Sequence, residues 1–494
     1  MLEQWRKESS LKKTADIIGI FIILAGIAVS IFMNCVGRSL WLDEAYLVSS
    51  LKNRSLWTLT ATPLDYIQSA PVIYLYIVKV CMLFFGDTEG VLRLFSIISF
   101  VLTIFLTWYV AKHLFRCRYA ILCAAFVANI DFLLRYSNVL KPYVSECVWV
   151  LLVLVVYAAY QEEKLPWWGM MLLYMVFIWA ANPVCFFIGG VLTCEFLYGI
   201  FQKNYKKMLK SIVSGIGIGC SFIVYYLYWL RSAATDDFMQ KYWVNDRFPF
   251  FPASREDIAL GWKLIRRMVA TSNEELRFLV IALIVGAFVI GMKEKNKYSQ
   301  VILIGFILAL FASSLYMFPV ADRLWCFSYP IYAILSFYFI DAMLLKEGER
   351  RAEIFAVFLM GLMIITNSGI QTYRHADNVY WEGNEVNPLL SYVQEHVTED
   401  EKVYVFYNSI PVVTYKNGYG INKIGNVAAD NIIWGTSVIA DTDLNTILAA
   451  GKCYLITSQA DDETIGDLLT HLTENGSLET VVDAYGTKLY YFSR

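Results

Sequence analysis

The stretch ADIIGIFIILAGIAVSIFM, residues 15–33, decides the fold class because it offers 19 almost uninterruptedly apolar residues. A bilayer core about 30 Å thick needs about 20 apolar residues for each helical span. Comparable runs recur as far as residue 369, and 58% of the 494 residues are hydrophobic while only 17% are charged. The composition therefore predicts an integral membrane protein and excludes collagen, disorder and a purely secreted domain.

Eleven candidate spans continue from this stretch to residue 370. If the N-terminus is cytoplasmic, the short inner segments hold 18 of the 41 Lys and Arg residues, as the positive-inside rule requires. An odd number of spans then places the C-terminus outside, so we expect a multi-pass protein of the plasma membrane with an extracytoplasmic C-terminal domain. The candidate spans are 15–34, 91–111, 119–134, 147–160, 166–181, 184–200, 211–230, 277–292, 300–317, 325–345 and 352–370.

Two further apolar segments suit helices that lie along the outer membrane surface. The segment 70–85 contains Pro71 and Lys79, and its 16 residues are short for a span. The segment 254–269 begins with Ser254 and Asp257, whose spacing predicts a capping box. We therefore expect both segments to form juxtamembrane helices in outer loops.

Charge divides the chain into two domains. Residues 375–494 hold 17 acidic and six basic residues, a net charge of −11, whereas the first 374 residues carry +9. This predicts a membrane domain over 1–374, with outer loops 35–90, 135–146 and 231–276, and a polar domain over 375–494. No basic stripe suggests a nucleic-acid partner.

Alternating patterns in the tail predict a small α/β domain with strands at 403–407, 453–457, 479–483 and 488–492, helices near 386–393, 444–450 and 461–474, and a turn at Asn417-Gly418.

The acid pair Asp43 and Glu44 follows the first span in the outer loop 35–90. Adjacent residues on a helix point about 100° apart, so only one of the two carboxylates readily faces a given site. Such a carboxylate can act as a general base toward an acceptor hydroxyl. The alternative is a solvated acid pair at the membrane surface, and the sequence alone leaves both open.

The second outer loop, 135–146, concentrates charged and aromatic residues between two spans. Arg135 and Lys141 suit binding of a lipid-linked phosphate, together with Tyr143. Glu146 stands at the start of an apolar helix, where a carboxylate without a partner is costly, so it is a candidate second acid. The alternative is a polar hairpin whose basic residues reach toward lipid headgroups.

Two later outer segments add candidate ligands. Arg323 opens the tenth candidate span and can neutralise a phosphate. In the loop 231–276, Tyr242 and Trp243 are candidates to cover a sugar or a polyprenyl chain by stacking, although interfacial aromatic residues have the same composition. The four histidines are dispersed, so any divalent metal ion would rest on the three carboxylates at positions 43, 44 and 146, and the need for one stays open.

These motifs resemble those of the glycosyltransferase C superfamily, in particular the bacterial multi-pass enzymes similar to protein O-mannosyltransferases and the lipid A aminoarabinose transferase. The resemblance covers essentially the whole chain and rests on the order of short motifs. They are the acids Asp43-Glu44, the segment Gln68-Ser69-Ala70-Pro71-Val72-Ile73-Tyr74 with Arg93, the motif Lys141-Pro142-Tyr143 with Glu146, and Phe318-Pro319 with Arg323 and Pro330.

The resemblance implies an enzyme that takes a sugar from a polyprenyl-phosphate donor, works at the outer face and inverts the anomeric centre. Asp43 would match the family's catalytic acid and act as the base, while Arg135, Lys141 or Arg323 would stabilise the departing phosphate. The acceptor, whether protein, lipid or glycan, is not indicated.

Three alternatives stay open at this point. An oligosaccharyl transferase would use a diphosphate-linked donor. A transporter with an external sensor domain would need charged residues deep in its spans, for which Glu195 is the clear candidate. A scaffold that binds lipid or glycan without catalysis would tolerate the loss of the acids and cations named above.

Overall fold

The computed structural model describes residues 9–270, 273–345, 349–375, 384–415, 424–437, 443–458, 460 and 462–494. These residues are mainly helical, with one small sheet near the C-terminus. The chain divides into two compact units, called here the helical unit (Met1–Phe32, Ser69–Gly86 and Leu92–Ala376) and the sheet unit (Met33–Gln68, Asp87–Val91 and Asp377–Arg494). Residues 33–68 and 87–91 therefore cluster with the acidic tail, whereas residues 69–86 between them cluster with the helical unit.

The helices follow the apolar runs of the sequence. They are α1 (Ser10–Cys35), α2 (Leu42–Asn53), α3 (Val72–Phe85), α4 (Glu89–Leu92), α5 (Leu94–Tyr109), α6 (Ala120–Ala128), α7 (Asp131–Tyr136), α8 (Tyr143–Gln161), α9 (Trp167–Phe177), α10 (Val184–Phe201), α11 (Tyr205–Tyr225), α12 (Arg231–Ala234), α13 (Asp237–Tyr242), α14 (Arg255–Ala270), α15 (Arg277–Lys293), α16 (Lys297–Ser314), α17 (Ser328–Leu344), α18 (Arg350–His375), α19 (Asn387–His396), α20 (Ile410–Thr414), α21 (Leu444–Ala450) and α22 (Asp462–Asn475).

Within the described residues, six helices are long and apolar enough to cross a membrane, which makes this a multi-pass membrane protein. Two of them extend through π-helical turns, Val110–Leu114 after α5 and Tyr226–Leu230 after α11. The remaining candidate spans contain shorter or more polar helices, so the count of eleven stays a prediction. The six are Ser10–Cys35, Leu94–Leu114, Tyr143–Gln161, Val184–Phe201, Tyr205–Ala234 and Lys297–Ser314.

The single helix predicted over 119–134 is in fact two helices. The chain leaves the helical conformation at Ile130, where ψ is 111°, and α7 begins at Asp131. Asn129 turns its side-chain amide back to the carbonyl of Ala125 at 2.9 Å. Asp131 suits the first turn of a new helix, because a carboxylate there is favoured by the helix dipole. Residues 131–136 therefore form a separate short helix, which carries Arg135.

Both segments predicted as juxtamembrane are helices. Pro71 precedes α3, whose start is fixed by hydrogen bonds from Ile73 N to the Trp179 carbonyl at 3.0 Å and from Trp229 Nε1 to the Ala70 carbonyl at 2.8 Å. Before α14, the predicted capping box is confirmed, since the Asp257 N–H donates to Ser254 Oγ and the Ser254 N–H donates to Asp257 Oδ2, both at 3.1 Å. Their place at the membrane surface stays a prediction.

Close backbone contacts hold the helical unit together. A Cβ added at Gly26 of α1 would lie 2.4 Å from the carbonyl oxygen of Ala128, and one added at Gly190 of α10 would lie 2.5 Å from that of Val301. Helices can approach this closely only where one of them carries a small residue. These glycines therefore set the packing of α1 on α6 and of α10 on α16.

The buried carboxylate of Glu195 belongs to a polar network at the end of α10. It accepts hydrogen bonds from Tyr157 Oη at 2.7 Å and Gln161 Nε2 at 2.9 Å, and its other oxygen lies 3.2 Å from Lys207 Nζ. Lys297 in turn donates to Gln161. These partners replace part of the hydration that the carboxylate loses on burial.

The sheet of the sheet unit has the strand order β2-β1-β3-β5-β4, with β1 (Val403–Val405), β2 (Ile432–Trp434), β3 (Lys452–Ser458), β4 (Ser477–Ala484) and β5 (Thr487–Ser493). β1 pairs in parallel with β2 and β3, while β5 is antiparallel to β3 and β4. Helices cover both faces, with one core around Val393 of α19 and another around Leu468 of α22. The four predicted strands are confirmed and β2 was missed; the Asn417-Gly418 turn lies outside the described residues.

Candidate active site

Glu44, one of the predicted catalytic acids, is a buried carboxylate. It lies in the first turn of α2, where its side chain is fully buried. The Trp41 N–H donates to Glu44 Oε2 at 3.2 Å, and the buried Arg38 guanidinium lies 4.0 Å from the same oxygen. The carboxylate thus caps its own helix and faces away from solvent.

Asp43 presents the other carboxylate of the pair. Its side chain is only half-buried, as expected for a residue one position from the buried face of α2. One turn further along lies Tyr46, and burial raises the pKa of this phenol, with smaller contributions from the charges of Asp43 and Tyr407. Of the two predicted acids, Asp43 therefore has the more exposed side chain.

Arg135 and Tyr143 lie in a packed cluster of the helical unit. The Arg135 Nε atom is 2.8 Å from Asp131 Oδ2, a pair four residues apart on α7. The ring of Tyr136 packs edge-on against Tyr143 with centroids 5.3 Å apart, and Phe132 packs against Tyr329 of α17 at 5.5 Å. The geometry therefore brings the start of α8 and the start of α17 to the same end of the helical unit.

Lys141 and Glu146 are both buried. Lys141 stands in the turn between α7 and α8, while Glu146 lies in the first turn of α8 rather than ahead of it. Glu146 Oε1 accepts a hydrogen bond from the Asn182 N–H at 3.2 Å, and Asn182 Oδ1 accepts one from Tyr225 Oη at 2.9 Å. The predicted second acid is thus connected to α10 and α11 through Asn182.

Arg323 lies beside this cluster in the segment Asp322–Trp325. The residue after Glu146, Cys147, has its Sγ atom 3.4 Å from the carbonyl oxygen of Cys326. On its other side, the Arg323 guanidinium lies 5.2 Å from the centre of the Trp243 ring, a cation–π contact. The structure therefore brings together two of the predicted ligands, Arg323 and Trp243.

Residues 231–276 are fastened to this segment by Arg267. Its guanidinium lies 2.7 Å from Asp246 Oδ1 and 3.0 Å from Asp322 Oδ1, and it also donates to the Val320 carbonyl. Burial raises the pKa of Asp322, an effect that Arg267 opposes and Asp246 reinforces. Both carboxylate partners of Arg267 are distant in sequence, so the sequence alone does not predict these ion pairs.

Tyr242 is exposed at the end of α13, with its ring edge-on to Trp243 at 4.7 Å. Next to it is a small open pocket of about 310 Å³, lined by Asp237, Gln240, Lys241, Val244, Arg247 and Tyr316. The Arg247 guanidinium lies 3.5 Å from the centre of the Tyr316 ring. Sequence analysis missed this pair, whose members are 69 positions apart.

Among the described residues, no group of three or more His, Cys, Asp or Glu side chains is placed to hold a metal ion. The three predicted carboxylates do not form such a group there. Of the predicted site residues, the sheet unit contributes the half-buried carboxylate of Asp43. The helical unit contributes three cations, which are Arg135, Lys141 and Arg323.

Residues 69–229, about one third of the chain, match the sequence model of the family described as dolichyl-phosphate-mannose-protein mannosyltransferase. The matched region includes Arg135, Lys141 and Glu146 but neither Asp43 nor Arg323. No curated protein sequence matches the chain.

The fold is similar to that of ArnT from Cupriavidus metallidurans. With the crystal structure of ArnT bound to undecaprenyl phosphate, the TM-score is 0.53 and the identity 13%, over 96% of this chain and 97% of that chain. With apo ArnT the TM-score is 0.49 and the identity 12%, over 95% and 97%. The family match and the fold together confirm the predicted resemblance to the glycosyltransferase C superfamily.

Proposed function

We propose that this protein is a membrane glycosyltransferase that moves a sugar from a polyprenyl-phosphate donor to an acceptor at the extracytoplasmic face. The observation that carries the proposal is the similarity of nearly the whole fold to ArnT in complex with undecaprenyl phosphate. The family match over 69–229, named for an enzyme that uses a lipid phosphate sugar, supports the same class of donor.

Three cations are proposed to hold the donor phosphate. For Arg323 the support is the cation–π contact with Trp243, whose ring centre lies 5.2 Å from the guanidinium. Arg135 is oriented by Asp131 at 2.8 Å, and Lys141 is a buried cation next to the same cluster. As the phosphate leaves the sugar it gains negative charge, which fixed cations stabilise most in the transition state.

Asp43 is proposed as the general base and Glu44 as the positioning residue that fixes its helix. The acceptor hydroxyl gives its proton to Asp43 while its oxygen forms a bond to the anomeric carbon. The bond from that carbon to the phosphate oxygen breaks, and its electron pair leaves with the polyprenyl phosphate. One displacement of this kind inverts the anomeric centre. Glu146, bound through Asn182, is proposed to hold the start of α8 in place.

The proposed topology has eleven spans, a cytoplasmic N-terminus and an extracytoplasmic domain at 375–494. Its support is the distribution of Lys and Arg among the short loops. The argument for a transporter rested on Glu195, a charged residue within a span. Because Glu195 has Lys207, Tyr157 and Gln161 as partners, its charge does not require a transported ion. An oligosaccharyl transferase with a diphosphate donor remains the second candidate.

Reconstituted protein should be incubated with synthetic polyprenyl-phosphate sugars, their diphosphate analogues and cell-envelope extract, and released lipid phosphate measured. We expect release from monophosphate donors. Arg323→Ala should lower it about 100-fold, by analogy with the loss of one charge-stabilising donor. Arg277→Ala is the matched control, because Arg277 also makes a cation–π contact, with the Phe278 ring at 5.4 Å, and its ion pair with Glu274 is long at 3.9 Å. Release from diphosphate donors alone would favour the second candidate, and no release from either would contradict the proposal.

A further inference from the structure

Three tyrosines of the sheet unit cluster around the helix that carries Asp43. The rings of Tyr46 and Tyr66 are stacked, with centroids 4.3 Å apart and planes 22° apart. Tyr407 lies just before α20, a helix that packs against the helix of Tyr46, α2. Tyr66 and Tyr407 expose 40% and 45% of their surface, so both rings are accessible to a ligand.

Tyr66 is held in its place at a conformational cost. Tyr66 and Ile67 both have φ of 56°, a left-handed conformation that side chains larger than Asn rarely adopt. Asp65 anchors the strained turn through hydrogen bonds from Ser50 Oγ at 2.9 Å and Arg54 at 2.7 Å. Strain of this kind persists where the surrounding structure imposes it, and it is concentrated at functional sites.

Tyr407 stands at the edge of the sheet where α/β domains bind ligands. The two strands that follow β1 in sequence, β2 and β3, lie on opposite sides of β1 in the sheet. The carboxyl ends of β1 and β3 therefore form a topological switch point. Tyr407 follows β1 by two residues, and the hydroxyl of Ser409 bridges to β3 by donating to the carbonyl of Ser458 at 2.8 Å. Helix α20, which begins three residues after Tyr407, packs against α2.

Gly435 fixes the backbone of Tyr407. Its N–H donates to the carbonyl of Val405 at 2.8 Å, and a Cβ at this position would lie 2.6 Å from the Tyr407 nitrogen. The residue that follows β2, Gly435, therefore packs against the backbone of Tyr407 at the switch point.

From this arrangement we propose that Asp43, Tyr46, Tyr66 and Tyr407 form the binding site for a neutral saccharide acceptor. The C–H face of a sugar ring packs on an aromatic ring, while sugar hydroxyls bond to phenols and to a carboxylate. Residues 377–494 hold 17 acidic and six basic residues, which disfavours an anionic acceptor. The inference rests on the proposed function and names its acceptor class, since the hydroxyl so bound would be the one that Asp43 deprotonates.

Direct binding tests the site independently of turnover. Saturation-transfer NMR of the full-length protein in nanodiscs should detect binding of chitotetraose, mannotetraose or galactotetraose. Tyr66→Ala and Tyr407→Ala should each weaken this binding about three- to tenfold. Tyr66→Phe should retain stacking. Tyr485→Ala removes a tyrosine of similar exposure, 43%, between β4 and β5 and should not change binding.

In the transfer assay, the two alanine variants should raise the KM for the saccharide and leave the Kd for polyprenyl phosphate unchanged. Absence of saccharide binding by the wild type, unchanged binding in both variants, or preferential glycosylation of a Ser/Thr-containing peptide would overturn the acceptor site. If saccharides bind but no donor is ever consumed, the proposed transferase activity fails and the binding site stands.

Discussion

Glu44→Gln should destabilise the sheet unit, whereas Asp43→Asn should leave its stability unchanged. Glutamine keeps an oxygen for the Trp41 N–H at 3.2 Å but removes the negative charge 4.0 Å from the buried guanidinium of Arg38. Loss of one member of a buried ion pair costs about 3–5 kcal/mol. The separation of 4.0 Å is long for such a pair, so we expect about 3 kcal/mol, the lower end of that range. Asp43 is half-buried, and its substitution should change stability by less than about 0.5 kcal/mol.

The assay is thermal unfolding of both variants in the same detergent, followed by tryptophan fluorescence. For a unit of this size 1 kcal/mol corresponds to a shift in Tm of about 2–4 °C, so Glu44→Gln should lower it by about 6–12 °C. The adjacent, equally conservative Asp43→Asn is the matched control. An unchanged Tm for Glu44→Gln, or an equal loss in both variants, would refute the prediction that the stability of the sheet unit depends more on Glu44 than on Asp43.

Two further predictions concern the helical unit. Lys207→Met removes the ammonium group that lies 3.2 Å from the Glu195 carboxylate, so it should lower the free energy of unfolding by about 3 kcal/mol. Adding Glu195→Gln to this variant should recover most of the lost stability. No recovery would mean that the charge pair is not the cause. Gly26→Ala places a methyl group 2.4 Å from the Ala128 carbonyl oxygen and should lower the stability measured by thermal unfolding by about 1–3 kcal/mol. The control Gly219→Ala adds a methyl group with nothing within 4 Å and should not destabilise the protein. Equal effects of the two substitutions would contradict the close packing of α1 on α6.

Much of the fold could be predicted because hydrophobic periodicity reports local structure. The helix at Leu444–Ala450 and the capping box at Ser254 have signals within a few residues. The strand Ile432–Trp434 was missed because three residues give no alternation to detect, and its parallel partner is almost thirty positions away. The break before Asp131 escaped notice because an apolar run surrounds it.

The site was less predictable, because burial decides the roles of its residues. Sequence offers no means to distinguish Asp43 from Glu44, since both are carboxylates in one turn, and only tertiary packing buries one of them. Tyr66 carries no sign of its left-handed backbone, which is imposed by the anchoring of Asp65. In contrast, the i, i+4 spacing of Asp131 and Arg135 was a usable signal that went unread.

The most direct test of the central claim is a single-turnover measurement of sugar transfer, with the enzyme in excess over the bound donor, that compares wild type with Asp43→Asn. If Asp43 is the base, transfer should slow by at least about 100-fold. The Kd for the donor should stay within twofold, and the transferred sugar should have the inverted configuration. Transfer at a near wild-type rate by Asp43→Asn would contradict the account.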